Sequence, residues 1–585
     1  MTCSTLWGLR PLLLGMALLV VAAPHASAQD IDELPAVTDT YALENARVVQ
    51  SPGQVLESAT VVVEDGLIDA VGEDVEIPYD ARRIKADSLV VYAGFIDGFS
   101  HAGIEMPEPS ENGESNGEEV DPGDPPPDAS GIQPDRSVRP FLTPDGSDLK
   151  SLRKIGFTTG HVAPEGEMLP GSSALVFYGG DSASDMVLTE SSSLFAQIAS
   201  APGYIYPATD MAVIAKLREL YREAERRQQL EAEYRENPRG MRRPPQDPVH
   251  SALFPVLDGD TPFTFYADEA LSLHRILDLK QELGFPLMLA GLQESHEMVD
   301  AISEVDAHLF LTLALPEKPK RSAKKDTLVA DTTDRPAKYY DPDLRTPSYE
   351  EVPDEEGNLE LRHAIERQTY LETAATLHEE GLQFGFSTRE AKPGDVRKNL
   401  RTMIDEGLPE DAALAALTTR PAGLLGVRDR LGTVEEGKIA NLVVTDGDYF
   451  ADDTKVKHVF VDGQLYDYST EEEEGEISGD VSKVIGTWSY TIETPRGDRS
   501  GTLTIEGDQS GLEGTLVNSR SDEQEISAVS FDGTTLSFTI QPSQGPTLSI
   551  SVTVEGDTFE GTVSTPGPSV PITGERTSTP SETRK

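Results

Sequence analysis

The chain is almost without cysteine. Its 585 residues include one, Cys3, which precedes the apolar run PLLLGMALLVVAA. Arg10, this run and the small residues Ala26 to Ala28 form a pattern typical of a secretory signal peptide over residues 1–28. Removal of that peptide leaves no thiol, which excludes disulfides, thiolate metal sites and a cysteine nucleophile from the mature chain.

Long hydrophobic runs are also missing. The apolar run near the N-terminus is shorter than the roughly 20 residues that a membrane span needs, although an uncleaved anchor stays open as the alternative. No other segment is apolar enough to span a bilayer. We therefore expect a protein that is secreted or periplasmic, with no stable membrane span after cleavage.

Positive charge is scarce. Lys and Arg number 49 against 102 Asp and Glu, which gives a net charge of −53. Such a chain repels phosphates, so we expect no nucleic acid among its partners. Acidic residues occur along the whole chain, and a solvated anionic surface of this kind is typical of halophilic proteins, in which salt screens self-repulsion. The alternative is an acidic protein from an ordinary environment.

Short strands are predicted on both flanks of a central region. Residues 41–90 alternate apolar and polar residues, and Asp65-Gly66 is a strong hairpin signal. Residues 431–468 return to strands. Between them, residues 91–430 alternate apolar strands with helices, which predicts an α/β fold with a (β/α)8 TIM-type barrel.

Two polar segments interrupt the predicted barrel. Residues 107–130 and 316–345 are too polar to bury a core, and both are expected to be exposed insertions. The first is either a functional lid or a solvated loop. The second begins with lysines, so contact with an anionic partner is the alternative to a solvated loop.

A further domain is predicted at the C-terminus. Residues 469–483 form an acidic linker, and residues 484–576 contain about eight short strand candidates separated by turn residues. A small antiparallel barrel or sandwich is the natural solution, because closure removes exposed strand edges. Trp488 lies in a Gly-x-Trp start that faintly resembles lipocalin-like barrels, and we interpret it as a core residue.

Two segments near the ends of the region 41–468 form a recognisable pattern: the opening reads AGFIDGFSHAG and the close reads GLPEDAALAALTTRPAGLLGVRDRLGTVEEGKIANLVVTDGD. They resemble the amidohydrolase superfamily, in particular its imidazolonepropionase-like branch. The resemblance implies that both flanks build one composite β-sandwich beside the barrel. It also implies hydrolysis of C–N bonds other than peptide bonds by one or two divalent metals that activate a bound water.

The metal ligands that the resemblance implies are largely replaced. The His-x-His pair at the end of the first barrel strand reads Phe99-Ser100-His101, and a phenylalanine does not coordinate a metal. The last barrel strand should end near an aspartate, but that region reads Phe386-Ser387-Thr388-Arg389. The fifth and sixth strands offer no histidine.

A reduced site is the remaining possibility for metal chemistry. His101 and His161 are the candidate ligands for one divalent metal, with zinc as the first candidate and a carboxylate as third ligand. Four other residues near the predicted mouth are candidates for substrate contact, together with His296: Asp97, Asp268, Glu294 and Arg389. If the site is vestigial, no metal is bound.

Two functions follow from these residues. The first is an exported hydrolase that acts on a small substrate with a cyclic amide-like C–N bond, through a reduced or altered metal site. The second is a non-catalytic binding or scaffold protein that has kept the barrel and lost the metal centre. The sequence leaves the oligomeric state open.

Overall fold

The structure of the protein, a computed structural model, describes most of the chain. The described residues are 39–106, 121–316, 355–452, 454–469, 481–492, 499–508, 511–518, 523–531, 533–540, 548–564 and 570–578. The predicted signal peptide therefore lies outside them, as do most of the predicted insertions and of the acidic linker. Among the described residues, no helix has the length and hydrophobicity to cross a membrane.

The chain divides into two compact units. The first comprises residues 1–455 and 459–465, and the second comprises residues 456–458 and 466–585. The TIM-barrel-like domain and the additional β domain that the sequence predicted are both present.

An eight-stranded sheet combines strands from both flanks of the barrel. Its strands are β1 (Tyr41–Ser51), β2 (Gln54–Glu64), β3 (Leu67–Gly72), β4 (Arg82–Lys85), β5 (Val90–Ala93), β14 (Leu442–Thr445), β15 (Val456–Val461) and β16 (Gln464–Asp467). They follow the order β16-β15-β14-β5-β1-β2-β3, with β4 paired to β1. The two flanks meet where β14 pairs antiparallel with β5, Leu442 opposite Ala93. The Asp65-Gly66 hairpin is confirmed, since both residues have the positive φ that this turn needs.

The barrel is a second eight-stranded sheet. Its strands are β6 (Phe95–Ser100), β7 (Phe157–Val162), β8 (Gly171–Phe177), β9 (Val187–Gln197), β10 (Phe263–Tyr266), β11 (Leu287–Leu292), β12 (Ala307–Thr312) and β13 (Phe384–Ser387). They are hydrogen-bonded in chain order from β6 to β13. A hydrogen bond connects the last strand to the first: the Ser387 hydroxyl donates to the Phe99 carbonyl at 2.7 Å.

One barrel strand departs from the predicted (β/α)8 pattern. Strand β8 runs antiparallel to both β7 and β9, whereas the other neighbouring pairs described along the path are parallel. Only residues 163–170 connect β7 to β8. A parallel crossover needs a dozen or more residues, so this short connection allows only a hairpin. Strand β9 was missed in the sequence, because the polar run TESSS interrupts its apolar pattern.

Helices follow most of the parallel strands. Their bounds are α1 (Ser147–Lys154), α2 (Ala183–Met186), α3 (Asp210–Glu236), α4 (Pro248–Ser251), α5 (Phe254–Leu257), α6 (Ala270–Leu283), α7 (Val299–Ser303), α8 (Glu355–Glu379), α9 (Pro393–Asp405), α10 (Glu410–Leu417) and α11 (Thr419–Leu424), with 3-10 turns at Arg139–Phe141, Ser295–Met298 and Val481–Lys483. The long amphipathic helix predicted after residue 208 is confirmed as α3. It buries the apolar face formed by Val213, Leu217, Leu220 and Ala224.

The second unit is a closed antiparallel barrel. Its strands are β17 (Gly486–Ile492), β18 (Arg499–Asp508), β19 (Gly511–Asn518), β20 (Glu523–Phe531), β21 (Thr535–Ile540), β22 (Leu548–Glu555), β23 (Thr558–Ser564) and β24 (Val570–Ser578). Trp488 is 1% exposed within the apolar interior, as expected for a core residue. Its indole nitrogen donates to the Val484 carbonyl at 2.9 Å.

Candidate functional site at the barrel mouth

Aromatic side chains meet at the carboxyl ends of the barrel strands. Phe99 of β6, Phe195 of β9 and Tyr266 of β10 pack in one small cluster with Ala163 and Ala290. The seven parallel strands bring their carboxyl ends to one edge, where a barrel of this type places its functional residues. The floor of the mouth is therefore apolar at the point where the resemblance implies metal ligands.

Phe99 packs against both candidate metal ligands. Its ring centroid lies 5.6 Å from that of His101 and 6.0 Å from that of His161, with edge-on geometry in both pairs. A phenylalanine side chain offers no lone pair. The ring therefore contacts both imidazoles but cannot act as a metal ligand beside them.

His161 already uses both ring nitrogens. Nδ1 lies 3.1 Å from the Gly98 carbonyl oxygen, and Nε2 lies 3.0 Å from the Ser193 hydroxyl. A carbonyl only accepts, so Nδ1 carries the proton and Nε2 accepts from Ser193, whose oxygen accepts in turn from Thr264 at 2.8 Å. Burial lowers the pKa of His161 to about 4, so the ring is neutral at physiological pH. His161 is thus a hydrogen-bonded core residue.

His101 has one ring nitrogen engaged by the protein. Nδ1 lies 2.7 Å from the Ala163 carbonyl oxygen and therefore donates to it, which leaves the lone pair on Nε2. Burial, and to a lesser extent the positive charge of Arg389, lowers the pKa of His101 to about 4. The mouth therefore contains a neutral imidazole that can accept a hydrogen bond through Nε2.

Arg389 lies among the aromatic side chains. It follows β13, in the region where the resemblance implies an aspartate ligand. Its guanidinium carbon is 3.8 Å from the ring centroid of Tyr266, 5.8 Å from that of Phe99 and 5.9 Å from that of Phe195. At 3.8 Å over Tyr266, the guanidinium makes a cation–π contact. A fixed positive charge thus occupies the part of the mouth where a metal would need a negative ligand.

These donors do not fit a divalent metal. A catalytic zinc takes about three protein ligands. Within the part of the chain that the structure describes, no three His, Cys, Asp or Glu side chains are placed to share an ion. His161 has no free ring nitrogen, and Arg389 would repel a cation.

Asp97, predicted at the mouth, is completely buried inside the barrel. Its carboxylate accepts from the Thr388 backbone N–H at 3.0 Å, from the Thr388 hydroxyl, from the Tyr178 hydroxyl at 2.9 Å and from the Phe99 N–H at 3.2 Å. Burial raises the pKa of Asp97 to about 6, against the effect of these donors. Asp97 therefore joins barrel strands and is shielded from any ligand in solution.

Glu294 and Asp268 have structural partners. Glu294 accepts from the N–H of Ala270, the first residue of α6, at 2.9 Å and from the Tyr370 hydroxyl at 3.1 Å. It thereby caps a helix whose N-terminus attracts negative charge. Asp268 accepts from the N–H of Glu269 at 3.0 Å.

His296 packs edge-on against Tyr370 at 5.7 Å. Of the predicted site residues, His101 and His161 contact the aromatic cluster through Phe99, and Arg389 contacts it through Tyr266.

Tyr178 and Phe195 were missed from the sequence, as were Gln197 and Glu390 beside Arg389. Tyr178 follows the antiparallel strand β8, and it reaches Asp97 because Gly160 lacks a side chain: a Cβ there would lie 2.1 Å from the Tyr178 hydroxyl. Phe195 lies on β9, the strand that was not predicted because polar residues interrupt its apolar pattern. The short connection of residues 163–170 was the feature of the sequence that could have predicted the antiparallel pairing of β7 with β8.

Comparisons with known proteins agree with this fold. The sequence profile described as the amidohydrolase family matches residues 322–466. A search of curated proteins gave no match. The structure is similar to an amidohydrolase from Thermotoga maritima MSB8, with 19% identity and a TM-score of 0.55, over 73% of this chain and 99% of that one.

Two more distant similarities come from solved structures of enzymes. One is a Xaa-Pro dipeptidase with bound methionine, with 16% identity and a TM-score of 0.41, over 73% of this chain and 100% of that one. The other is an adenosine deaminase from Xanthomonas campestris with bound zinc, with 15% identity and a TM-score of 0.32, over 73% of this chain and 92% of that one. The Thermotoga similarity shows that this chain shares the fold of that protein over the matched part of its length.

Proposed function

We propose that this chain is an exported binding protein that uses an amidohydrolase-type barrel to hold a small organic ligand at its mouth, without metal-centred hydrolysis. One observation carries the proposal: the guanidinium of Arg389 lies 3.8 Å above the ring of Tyr266, in the region where the fold family's aspartate ligand is expected. Of the two functions that the sequence left open, this is the non-catalytic one.

The charge of Arg389 supports this proposal. A divalent ion about 4 Å from a guanidinium would be repelled by roughly 8 kcal/mol at an effective dielectric constant of about 20. His101 offers one lone pair there, and His161 would have to give up its bond to Ser193 to offer another. Glu390 lies 3.4 Å from the guanidinium and offsets part of this repulsion, but within the described residues no carboxylate is placed to share an ion with the two imidazoles.

Metal analysis of the purified mature protein tests the proposal. We expect less than stoichiometric zinc, iron or manganese, and a melting temperature that a strong chelator leaves unchanged. Near-stoichiometric metal whose removal abolishes a hydrolytic activity would overturn it. Phe99→Leu is a useful companion variant, because it removes an aromatic ring without supplying a ligand.

A hydrolase with an altered metal site is the second candidate. Two observations favour it: residues 322–466 match the family profile, and His101 keeps an available lone pair at the mouth. The substrate would be a small molecule with a non-peptide C–N bond, as the sequence resemblance implies. Retention of activity in a His101→Gln variant would remove this candidate, since its metal depends on that imidazole.

Export is part of the proposal. Arg10, the apolar run and the small residues at Ala26 to Ala28 support cleavage before Gln29, followed by a secreted or periplasmic location. Mass spectrometry of the protein recovered from its native cells gives the mature N-terminus. A chain that still begins at Met1 would contradict cleavage.

A further inference from the structure

The guanidinium of Arg389 has hydrogen-bonding capacity that the protein does not use. Nη1 is buried and has no acceptor among the described residues. Nη2 lies 3.5 Å from the Gln197 side-chain oxygen, at the outer limit of a hydrogen bond. Nε lies 3.4 Å from a carboxylate oxygen of Glu390, whose side chain is 54% exposed. Buried donors are nearly always paired, so this group is incomplete without a further acceptor.

We propose that Arg389 is the recognition group for a small carboxylate with an apolar body, bound at the mouth of the first unit's barrel. This inference rests on the proposed function and names its ligand class. A guanidinium presents its N–H groups in a planar fork that matches the two oxygens of a carboxylate. The contact with Glu390 is longer than the 2.7–2.9 Å typical of a charge-assisted bond, so a ligand carboxylate can compete with it.

The surroundings of the guanidinium favour an apolar body on the ligand. Tyr266 covers one face of the guanidinium, and Phe99 and Phe195 lie within 6 Å of it. Ala163 and Ala290 complete this apolar cluster. Phe99, Phe195 and both alanines are buried, so the partly exposed Tyr266 is the member of the cluster that a ligand can contact. A ligand that combines a carboxylate with a flat hydrocarbon group thus satisfies the guanidinium and covers the exposed part of Tyr266 in one binding mode.

The mouth carries both a cation, Arg389, and several carboxylates near it. Burial lowers the pKa of Arg389, while Tyr266, Glu390, Asp268 and Glu165 raise it. The guanidinium stays charged, because arginine is not deprotonated in proteins. His101 is neutral and does not add a second cation. The nearby carboxylates make an amine the natural rival ligand, so the test must include one.

Three probes with the same ring separate these cases: benzoate, benzamide and benzylamine, which are anionic, neutral and cationic at pH 7. Each is titrated by calorimetry into the full mature protein at 0.15 M NaCl, where the Debye length of about 8 Å screens the distant surface charge. We expect one benzoate per chain, bound at least about tenfold more tightly than either of the other two, since a hydrogen bond between two charged groups is stronger than one to a neutral group.

Two substitutions locate the site. Arg389→Gln should weaken benzoate binding at least about tenfold, and Arg389→Lys should weaken it as well, because a lysine lacks the planar fork. Arg218→Gln is the matched control, since it removes an arginine whose ion pair with Glu282 at 2.6 Å joins two outer helices. Benzoate binding should be unchanged in that variant.

Several results would overturn the carboxylate site. Equal binding of benzoate and benzamide, preferred binding of benzylamine, or undiminished benzoate binding in Arg389→Gln would each do so. The titration of the unsubstituted protein decides the question even if a variant does not fold. Absence of benzoate binding in a metal-free protein refutes only this inference, whereas stoichiometric catalytic metal refutes the proposed function.

Discussion

The Asp97 carboxylate accepts two hydrogen bonds from Thr388, one from the backbone N–H at 3.0 Å and one from the hydroxyl. Asp97 lies on β6, the first strand of the barrel, and Thr388 directly follows β13, the last. This pair, with the bond between Ser387 and Phe99, joins the two ends of the sheet. It also fixes the backbone immediately before Arg389. The position from which the Arg389 side chain extends into the proposed site therefore depends on this pair.

Asp97→Asn should destabilise the first unit by about 1–3 kcal/mol. An amide presents one acceptor oxygen where the carboxylate presents two, so donors from Thr388 and Tyr178 would be left without a partner in the interior. Urea unfolding at pH 7, followed by circular dichroism, measures the change. Asp69→Asn, at an exposed position of β3, is the matched control and should be neutral. An unchanged midpoint in Asp97→Asn would contradict a role in closing the barrel.

Asp97 also predicts a pH dependence of stability. Its folded-state pKa of about 6 lies above the usual 3.8, so the folded state binds the proton more tightly than the unfolded state does. The contribution of Asp97 to the free energy of unfolding is complete below about pH 4 and falls as pH rises towards 6, by up to roughly 3 kcal/mol.

Subtracting the Asp97→Asn unfolding profile from that of the unsubstituted protein, between pH 4 and pH 8, isolates this contribution. A difference that rises with pH would have the wrong sign.

Two substitutions made together should create a metal site. Phe99→His combined with Arg389→Asp supplies a His-x-His pair with His101 and a carboxylate at the end of β13, and it removes the repelling cation. We expect this double variant to bind zinc or cobalt(II) after metal loading and dialysis, as judged by metal content and the cobalt absorption spectrum. Neither single variant should do so. If Phe99→His alone bound metal as tightly, the electrostatic argument about Arg389 would fail.

Salt should stabilise the protein. The net charge of −53 produces self-repulsion that counterions screen. The melting temperature of the mature chain should therefore rise from low to molar KCl. A flat dependence would argue against the halophilic interpretation of the acidic surface.

Tryptophan fluorescence should follow the second unit alone. The chain has two tryptophans, Trp7 within the predicted signal peptide and Trp488 in the core of the C-terminal barrel. Emission of the mature protein should be that of a buried indole and should shift to the red when this barrel unfolds. Trp488→Phe should remove the signal, while circular dichroism still reports the first unit. A fluorescence transition that survives this substitution would show that the mature chain retains Trp7.

The sequence by itself determined the kinds of element and their order. Hydrophobic periodicity marked α3, and the Asp65-Gly66 pair marked the hairpin between β2 and β3, because both signals arise from residues close together in the chain. The replacement of one expected ligand by Phe99, and the missing aspartate in the region Phe386 to Arg389, were also visible, since both depend on residue type alone.

Tertiary structure decided which side chains meet. Asp97 and Thr388 are separated by 291 positions, yet they share hydrogen bonds because the barrel closes. No local pattern reveals that Asp97 is buried, that His161 is engaged at both nitrogens or that Arg389 lies against Tyr266. Residue type sets what a side chain can do. Its burial and its hydrogen-bonding partners come from strands that are distant in the chain, and this environment decides whether a charged group binds a ligand or stabilises the fold.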